Sequence, residues 1–185
     1  MSEVVRLTLV SHAMTDAMAA GRFPADEALN ALGRQQLSGL DVGAADTVLC
    51  GPEIRTSQTA EQLGLTALVD TRLADLDCGS WRGLGLDEVQ PGELALWLTE
   101  PDSCPHDGES IVELVARVRG WLADISRTPG RTLAITHPAV IRAVILNALD
   151  APPKSFWRMD IAPASRTSLH FRGMVWTLRS AVPGQ

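Results

Sequence analysis

Two strand-like runs each stop on a histidine, and together they limit what this chain can fold into. Leu7-Thr8-Leu9-Val10-Ser11 ends at His12, and Leu133-Ala134-Ile135-Thr136 ends at His137. Continuous apolar, β-branched runs of this length read as strands buried on both faces. Such strands need helices above and below, the pattern of a parallel sheet. In open sheets of that kind, ligands sit beyond the carboxyl ends of the strands. The spacing therefore predicts that His12 and His137 face each other across one pocket.

The remaining punctuation agrees with that layout. A loop is expected over 11–26, broken by Gly21 and Pro24. Asn30 can cap a helix to about residue 40, with Leu29, Leu32 and Leu37 as packing residues. Short strands are expected at 47–50 and 67–69, with a helix over 54–63 ended by Gly64. Residues 72–91 read as a long irregular loop, a kind that is usually functional in compact domains. A short apolar helix follows at 94–98. The helix over 110–125 has Ile111, Leu114, Val115, Val118 and Leu122 at helical spacing, and Ser110 with Glu113 has the spacing of a capping box. A fourth strand at 131–136 leads into a helix over 138–149 that starts on Pro138. Runs at 167–171 and 175–178, joined through Arg172-Gly173, form a closing hairpin. The alternation of strands and helices gives a three-layer α/β sandwich with a mainly parallel central sheet, in one domain over residues 1–185.

Composition removes several function classes. The 185 residues carry a net charge of −6, and Lys154 is the only lysine. No basic run or basic-aromatic stripe is present, so a nucleic-acid surface is not expected. No segment approaches the roughly 18–20 unbroken apolar residues of a membrane helix. The start of the chain is short and acidic for a secretory signal. The cysteines Cys50, Cys78 and Cys104 are scattered, without a paired CxxC. They read as thiols of a reducing compartment, which points to the cytoplasm. The histidine and cysteine spacings match no metal motif, so no metal site and no organic cofactor is expected.

Several polar groups fall on the same sheet edge as the histidines. The strand at 47–50 leads to Gly51-Pro52 and to Arg55 in a first helical turn. The loop after the third strand carries Asp75 and Asp77. A helix start supplies free N–H groups and partial positive charge. The combination is an anion site, with phosphate as the anion it suits best. His106 and His170 fall elsewhere and read as structural.

At these residues the chain resembles the histidine phosphatase superfamily, the phosphoglycerate mutase-like fold. Leu9-Val10-Ser11-His12-Ala13-Met14-Thr15 is similar to the opening LVRHGxT of that family. DEALNALGRQQL over 26–37 resembles its D-x-P-L-T-x-x-G-x-x-Q-A segment. Residues 51–60 resemble S-S-x-x-x-R-x-x-Q-T-A, and 73–83 resemble L-x-E-x-x-F-G-x-W-E-G. Gly108-Glu109-Ser110 with Arg117, and Thr136-His137-Pro138-Ala139-Val140-Ile141-Arg142, resemble the last two motifs. The six fall in the family's order and span nearly the whole chain.

The resemblance implies a chemistry. His12 would attack phosphorus and carry a transient phosphoryl group, which requires an unprotonated nitrogen. Arg55 and His137 would hold the phosphoryl oxygens. Asp75 would stand where the family glutamate protonates the leaving oxygen, and it needs a raised pKa to do so. The ligand would be a phosphorylated small molecule or phosphate.

The chain also departs from the pattern. Ser11 replaces an arginine, Ala13 a glycine and Pro138 a glycine; Asp75 is one methylene shorter than glutamate, and Met18 falls where relatives place an asparagine. Losing one charge-assisted hydrogen bond costs roughly 1.5–3 kcal/mol. Arg22, Arg82 and Arg142 lie near pocket segments, and Arg22 is the first candidate to compensate. The reading is a slow or specialised phosphatase, with a non-catalytic anion-binding or interaction protein on the same fold as its alternative. A mutase is less suited, because the chain is short for the segments that enclose a mutase substrate.

Overall fold

The computed structural model describes residues 4–180. The first three residues, part of the stretch read for a secretory signal, lie outside it. Its six-stranded sheet has the order β3-β2-β4-β1-β5-β6. The strands are β1 (Val5–Ser11), β2 (Thr47–Cys50), β3 (Leu68–Val69), β4 (Gly130–Thr136), β5 (Arg166–Arg172) and β6 (Val175–Arg179). β1 to β4 pair in parallel, while β5 and β6 are the antiparallel closing hairpin.

Alternation along the central strands builds the three layers. On one face Val5, Leu7, Leu9 and Ala134 pack with α5 (Ile111–Ile125) and α6 (Pro138–Ala148). On the other, Val10, Leu133 and Ile135 pack with Ala60 of α3 (Ile54–Gln62). The five apolar positions expected on the 110–125 helix are all buried, and Ser110 and Glu113 form their reciprocal cap. Trp121, on the same helix face, is fully buried.

Three segments differ from the sequence expectation. The 11–26 loop contains a one-turn helix, α1 (Asp16–Ala19), because the Thr15 side chain accepts from the Met18 N–H. The helix capped by Asn30, α2 (Ala31–Gln36), stops four residues early, where the chain turns through Gly39 at φ +76°. Leu29 and Leu37 are buried as expected, but Leu32 is 51% exposed. So short a helix turns Gly33 inward and sends its neighbour to solvent. The helix expected at 94–98 begins earlier, at a proline in its first turn, and is α4 (Pro91–Thr99). The irregular 72–91 stretch is held by three short 3-10 turns, Thr71–Leu73, Gly79–Trp81 and Leu86–Glu88.

Gly33 is buried because α2 lies directly on the chain leaving His12. A Cβ at Gly33 would collide with the Met14 backbone. From the same helix Gln36 accepts the Met14 N–H at 3.1 Å. Gly33→Ala should therefore push out the 12–15 segment and destabilise the protein by about 1–3 kcal/mol, an overpacking cost. Urea unfolding at constant m-value checks this.

Candidate active site

The register of β1 against β4 places the two histidines together. Ser11 pairs with Thr136, so the next residues, His12 and His137, leave adjacent strands side by side. The His12 N–H donates to the Thr136 carbonyl at 2.8 Å. The two rings stand 5.1 Å apart between centroids and 64° apart in plane.

His12 has a defined tautomer. Its Nδ1 lies 2.9 Å from the Ala13 carbonyl, which can only accept, so Nδ1 carries the proton. Nε2 is left with its lone pair. Burial, followed by the His137 charge, brings the ring down from its ordinary 6.5 to about 3. The imidazole is therefore neutral at physiological pH, as a nitrogen nucleophile must be. Ala13 is fixed in turn, because its N–H donates to Thr59 Oγ1 of α3 at 3.2 Å.

Arg55 rises from the first turn of α3 and is 1% exposed. One terminal nitrogen donates to the Ala25 carbonyl and the other to Asp75 Oδ2, both at 2.7 Å. The same Asp75 oxygen lies 3.3 Å from His137 Nδ1. Burial alone would raise the Asp75 carboxyl. The charges of His137 and Arg55 outweigh it and hold the group below the usual carboxylate range. With no ligand bound, Asp75 is thus a carboxylate seated between the two groups expected to grip a phosphoryl anion.

The loop carrying Asp75 is strapped from several sides. Thr136 Oγ1 donates to the Leu73 carbonyl at 2.8 Å. Arg117 of α5 donates to the carbonyls of Arg72, Ala74 and Asp75 and pairs with Glu109 at 2.7 Å. This explains Arg117 and Glu109, which the sequence offered only as motif letters.

Sequence reasoning missed Glu53. It precedes α3, and its Oε2 accepts from His137 Nε2 at 2.7 Å while Oε1 accepts the Asp75 N–H at 2.9 Å. Burial opposes its ionisation, but the His137 ring overcomes that and keeps Glu53 below its ordinary value. Glu53 fixes the proton on Nε2, so His137 donates from Nδ1 only as an imidazolium. The only signal in the sequence was a carboxylate two residues before Arg55 at a strand-to-helix turn.

Ser11 and Arg22 sit apart from this cluster. Ser11 is fully buried, and its hydroxyl donates to the His12 carbonyl at 3.4 Å. Arg22 is at the pocket mouth, half exposed, bonded to the Gly83 carbonyl and to Glu88 at 3.1 Å. Arg82 is exposed and pairs with Asp77. His106 is buried and accepts the Gly108 N–H, and His170 stands in β5 opposite Arg6. The cavity over His12, Arg55 and Asp75 encloses about 200 Å³, walled by Phe23, Leu76, Trp97 and Trp157. Among the described residues no group of three or more His, Cys, Asp or Glu forms a cation cluster, and no helix is long and apolar enough to cross a membrane. The three cysteines are free thiols.

The family model for the histidine phosphatase superfamily (branch 1) matches residues 7–182. The chain belongs to that superfamily. The histidine phosphatase sequence is 26% identical over 183 residues to phosphoserine phosphatase 1 of Hydrogenobacter thermophilus, covering 90% of this chain and 87% of that one. It is 32% identical over 171 residues to an acid phosphatase of Mycobacterium tuberculosis, covering 86% and 83%. Against the glucosyl-3-phosphoglycerate phosphatase of M. tuberculosis the identity is 31% over 137 residues, but only 65% of this chain and 60% of that protein align. The solved mycobacterial glucosyl-3-phosphoglycerate phosphatase with VO3 superposes with a TM-score of 0.84 at 27% identity, covering 94% and 96%. Family and relatives support a phosphatase over the non-catalytic alternative.

The depressed His12 pKa has a consequence for stability. Between pH 6.5 and about 3 the unfolded chain holds a proton on this ring that the native state does not. Stability from this group is therefore lost as pH falls through that window, with a slope of up to about 1.36 kcal/mol per pH unit. His12→Asn should flatten the acid side of the stability profile between pH 6 and 4. Urea midpoints measured across that range would show it.

Proposed function

We propose that the protein hydrolyses a phosphorylated small molecule through a phosphohistidine on His12, within one histidine-phosphatase-like domain over residues 1–185. The observation that carries this is the neutral, Nδ1-protonated His12 beside the Arg55–Asp75–His137 cluster. A phosphoryl dianion outcompetes the single charge of Asp75 for Arg55 and for imidazolium His137. The displaced carboxyl then lies beside that dianion, which raises its pKa and loads it with a proton. Substrate binding thereby prepares the acid.

The steps balance on protein groups and water. The Nε2 lone pair of His12 attacks phosphorus, the bond to the leaving oxygen breaks, and that oxygen takes the Asp75 proton. Arg55 and His137 Nδ1–H carry the equatorial charge, with Glu53 holding the far side of the His137 ring. Water then attacks the phosphohistidine and gives its proton to Asp75, releasing phosphate and restoring His12. Ser11 supplies no charge here. It packs behind His12, while Arg22 guards the mouth. With one guanidinium fewer than the family pattern, turnover should be slower by about one to two decades. The free thiols support a cytoplasmic setting.

Phosphate release from a panel of phosphomonoesters tests the reading. Wild type should turn over at least one ester, vanadate should inhibit it, and His12→Ala should lose the activity by about a thousandfold or more. A wild type no better than His12→Ala on every ester sinks it.

Asp75→Asn separates the two roles of that carboxylate. With the competing charge gone, vanadate should bind about tenfold tighter, the worth of one charge-assisted hydrogen bond. Turnover of esters with poor leaving groups should fall. Calorimetric titration and kcat measured against leaving-group pKa read the two effects separately.

A further inference from the structure

Arg142 of α6 lines the same cavity as His12 but takes no part in the cluster around Asp75. Its Nε donates to the Met159 carbonyl at 2.8 Å. Its guanidinium lies 5.6 Å from the Phe156 ring centre and 5.5 Å from that of Trp157. These contacts fix the fork and leave its terminal nitrogens with no carboxylate partner among the described residues. Every other arginine that touches this cavity has one: Arg55 has Asp75, and Arg22 has Glu88. Burial draws the Arg142 guanidinium below its usual range, against the distant pull of Asp160 and Asp75. A half-buried, stacked guanidinium held through Nε, with its terminal nitrogens bonded to no protein group among the described residues, is preorganised to take a ligand anion.

The rest of the cavity narrows the ligand. Phe23, Leu76, Trp97, Ala139 and Trp157 give it an apolar wall. No serine, threonine, asparagine, glutamine or tyrosine side chain lines it. Its polar lining is therefore all charged groups or histidine, and hydroxyls of a sugar or polyol set against the apolar wall would be buried unpaired, which is unfavourable. The volume, about 200 Å³, is small for a ligand site and suits a compact leaving group.

We infer that this cavity is a leaving-group subsite for a compact, apolar-bodied phosphomonoester bearing a carboxylate, which Arg142 binds while His12 attacks the phosphoryl end. This rests on the phosphomonoesterase reading above and adds the substrate class to it. The phosphate end is gripped by Arg55 and His137, which leaves Arg142, on a different element of the same cavity, to read a second anion. The apolar wall between them takes a ring or hydrocarbon body.

Matched aryl phosphates provide the test. Catalytic efficiency toward the meta- and para-carboxyphenyl phosphates is compared with that toward the neutral meta- and para-carbamoylphenyl phosphates, with glycerol 2-phosphate as the polyol. Wild type should favour the better carboxylate over its carboxamide by about tenfold or more, the worth of a charge-assisted hydrogen bond, and should disfavour glycerol 2-phosphate. Arg142→Gln should bring the ratio close to one, and Arg142→Lys should restore part of it. The ratio is the readout, not either rate. A wild-type ratio near one, equal use of the polyol, or an unchanged ratio in Arg142→Gln overturns the inference. The last result would mean that Arg142 serves the phosphoryl group itself or only the packing of Trp157. Should Arg142→Gln fail to fold by circular dichroism, the wild-type and Arg142→Lys ratios decide.

If wild type hydrolyses none of the esters, the phosphatase reading fails alone. Calorimetric affinities of carboxyphenyl- and carbamoylphenyl-phosphonates then measure the same preference without turnover. A tighter carboxylate, lost in Arg142→Gln, sustains the subsite. Equal affinities remove it.

Discussion

The parallel pairing of β1 with β4 is the constraint on which the site depends. Its register sets Ser11 opposite Thr136, and nothing else is needed to bring His12 and His137 within one ring's width. A shift of either strand by one residue would turn its histidine to the other face and reverse the apolar alternation of that strand. The core therefore enforces the active-site geometry: Leu9 and Ala134 on one face, with Val10 and Ile135 on the other, allow only one register. Three later segments are fixed to this strand end by hydrogen bonds. Thr136 holds the acidic loop, Thr59 holds Ala13, and Gln36 holds Met14.

The parts legible in the sequence were those written in local periodicity or in chain order. The strands, α5 with its capping box, and the closing hairpin follow from spacing alone. The arrival of His12, Arg55, Asp75 and His137 at one edge follows from strand order in a parallel sheet. The parts that were not legible depend on contacts between distant segments. Leu32 satisfied the helical pattern, yet α2 is too short for that pattern to govern, and the Met14 backbone claims the inward position for Gly33. Glu53 was hidden because a carboxylate at a helix start already has a sufficient local explanation in the helix dipole. Its contact with His137 spans 84 positions of sequence. Arg22 was favoured for its nearness in sequence to His12, whereas Arg142, 130 positions from His12 (142 − 12), shares the cavity without an acidic partner.

The substitutions around the site become connected once the charges are placed. An arginine in place of Ser11 would add a permanent cation on the strand end beside His12. With Ser11 there, the anion grip rests on Arg55 and on His137, and the His137 charge depends on a proton. Glu53 and Asp75 face the two nitrogens of that ring at 2.7 and 3.3 Å, while neutral His12 stands at its face and the Arg55 guanidinium is bound to Asp75. Nε2 has its hydrogen-bond acceptor in Glu53, while buried Nδ1 lies near Asp75 without a hydrogen-bond partner among the described residues. Nδ1 is thus the free position of the ring from which a phosphoryl oxygen can be met.

That arrangement also explains why the acid can be an aspartate. Here one Asp75 oxygen reaches both Arg55 and the His137 ring, at 2.7 and 3.3 Å, so the shorter side chain already touches both groups. The bridge neutralises the buried Arg55, since an unpaired guanidinium at 1% exposure would be costly. It must then give way when a phosphoryl group arrives, and the energy to break it comes from the greater charge of the incoming anion. Affinity for phosphate is consequently lowered by the strength of the Asp75 contacts. A second anionic handle on the substrate, held far from that competition, is the physical means by which such a site recovers binding energy.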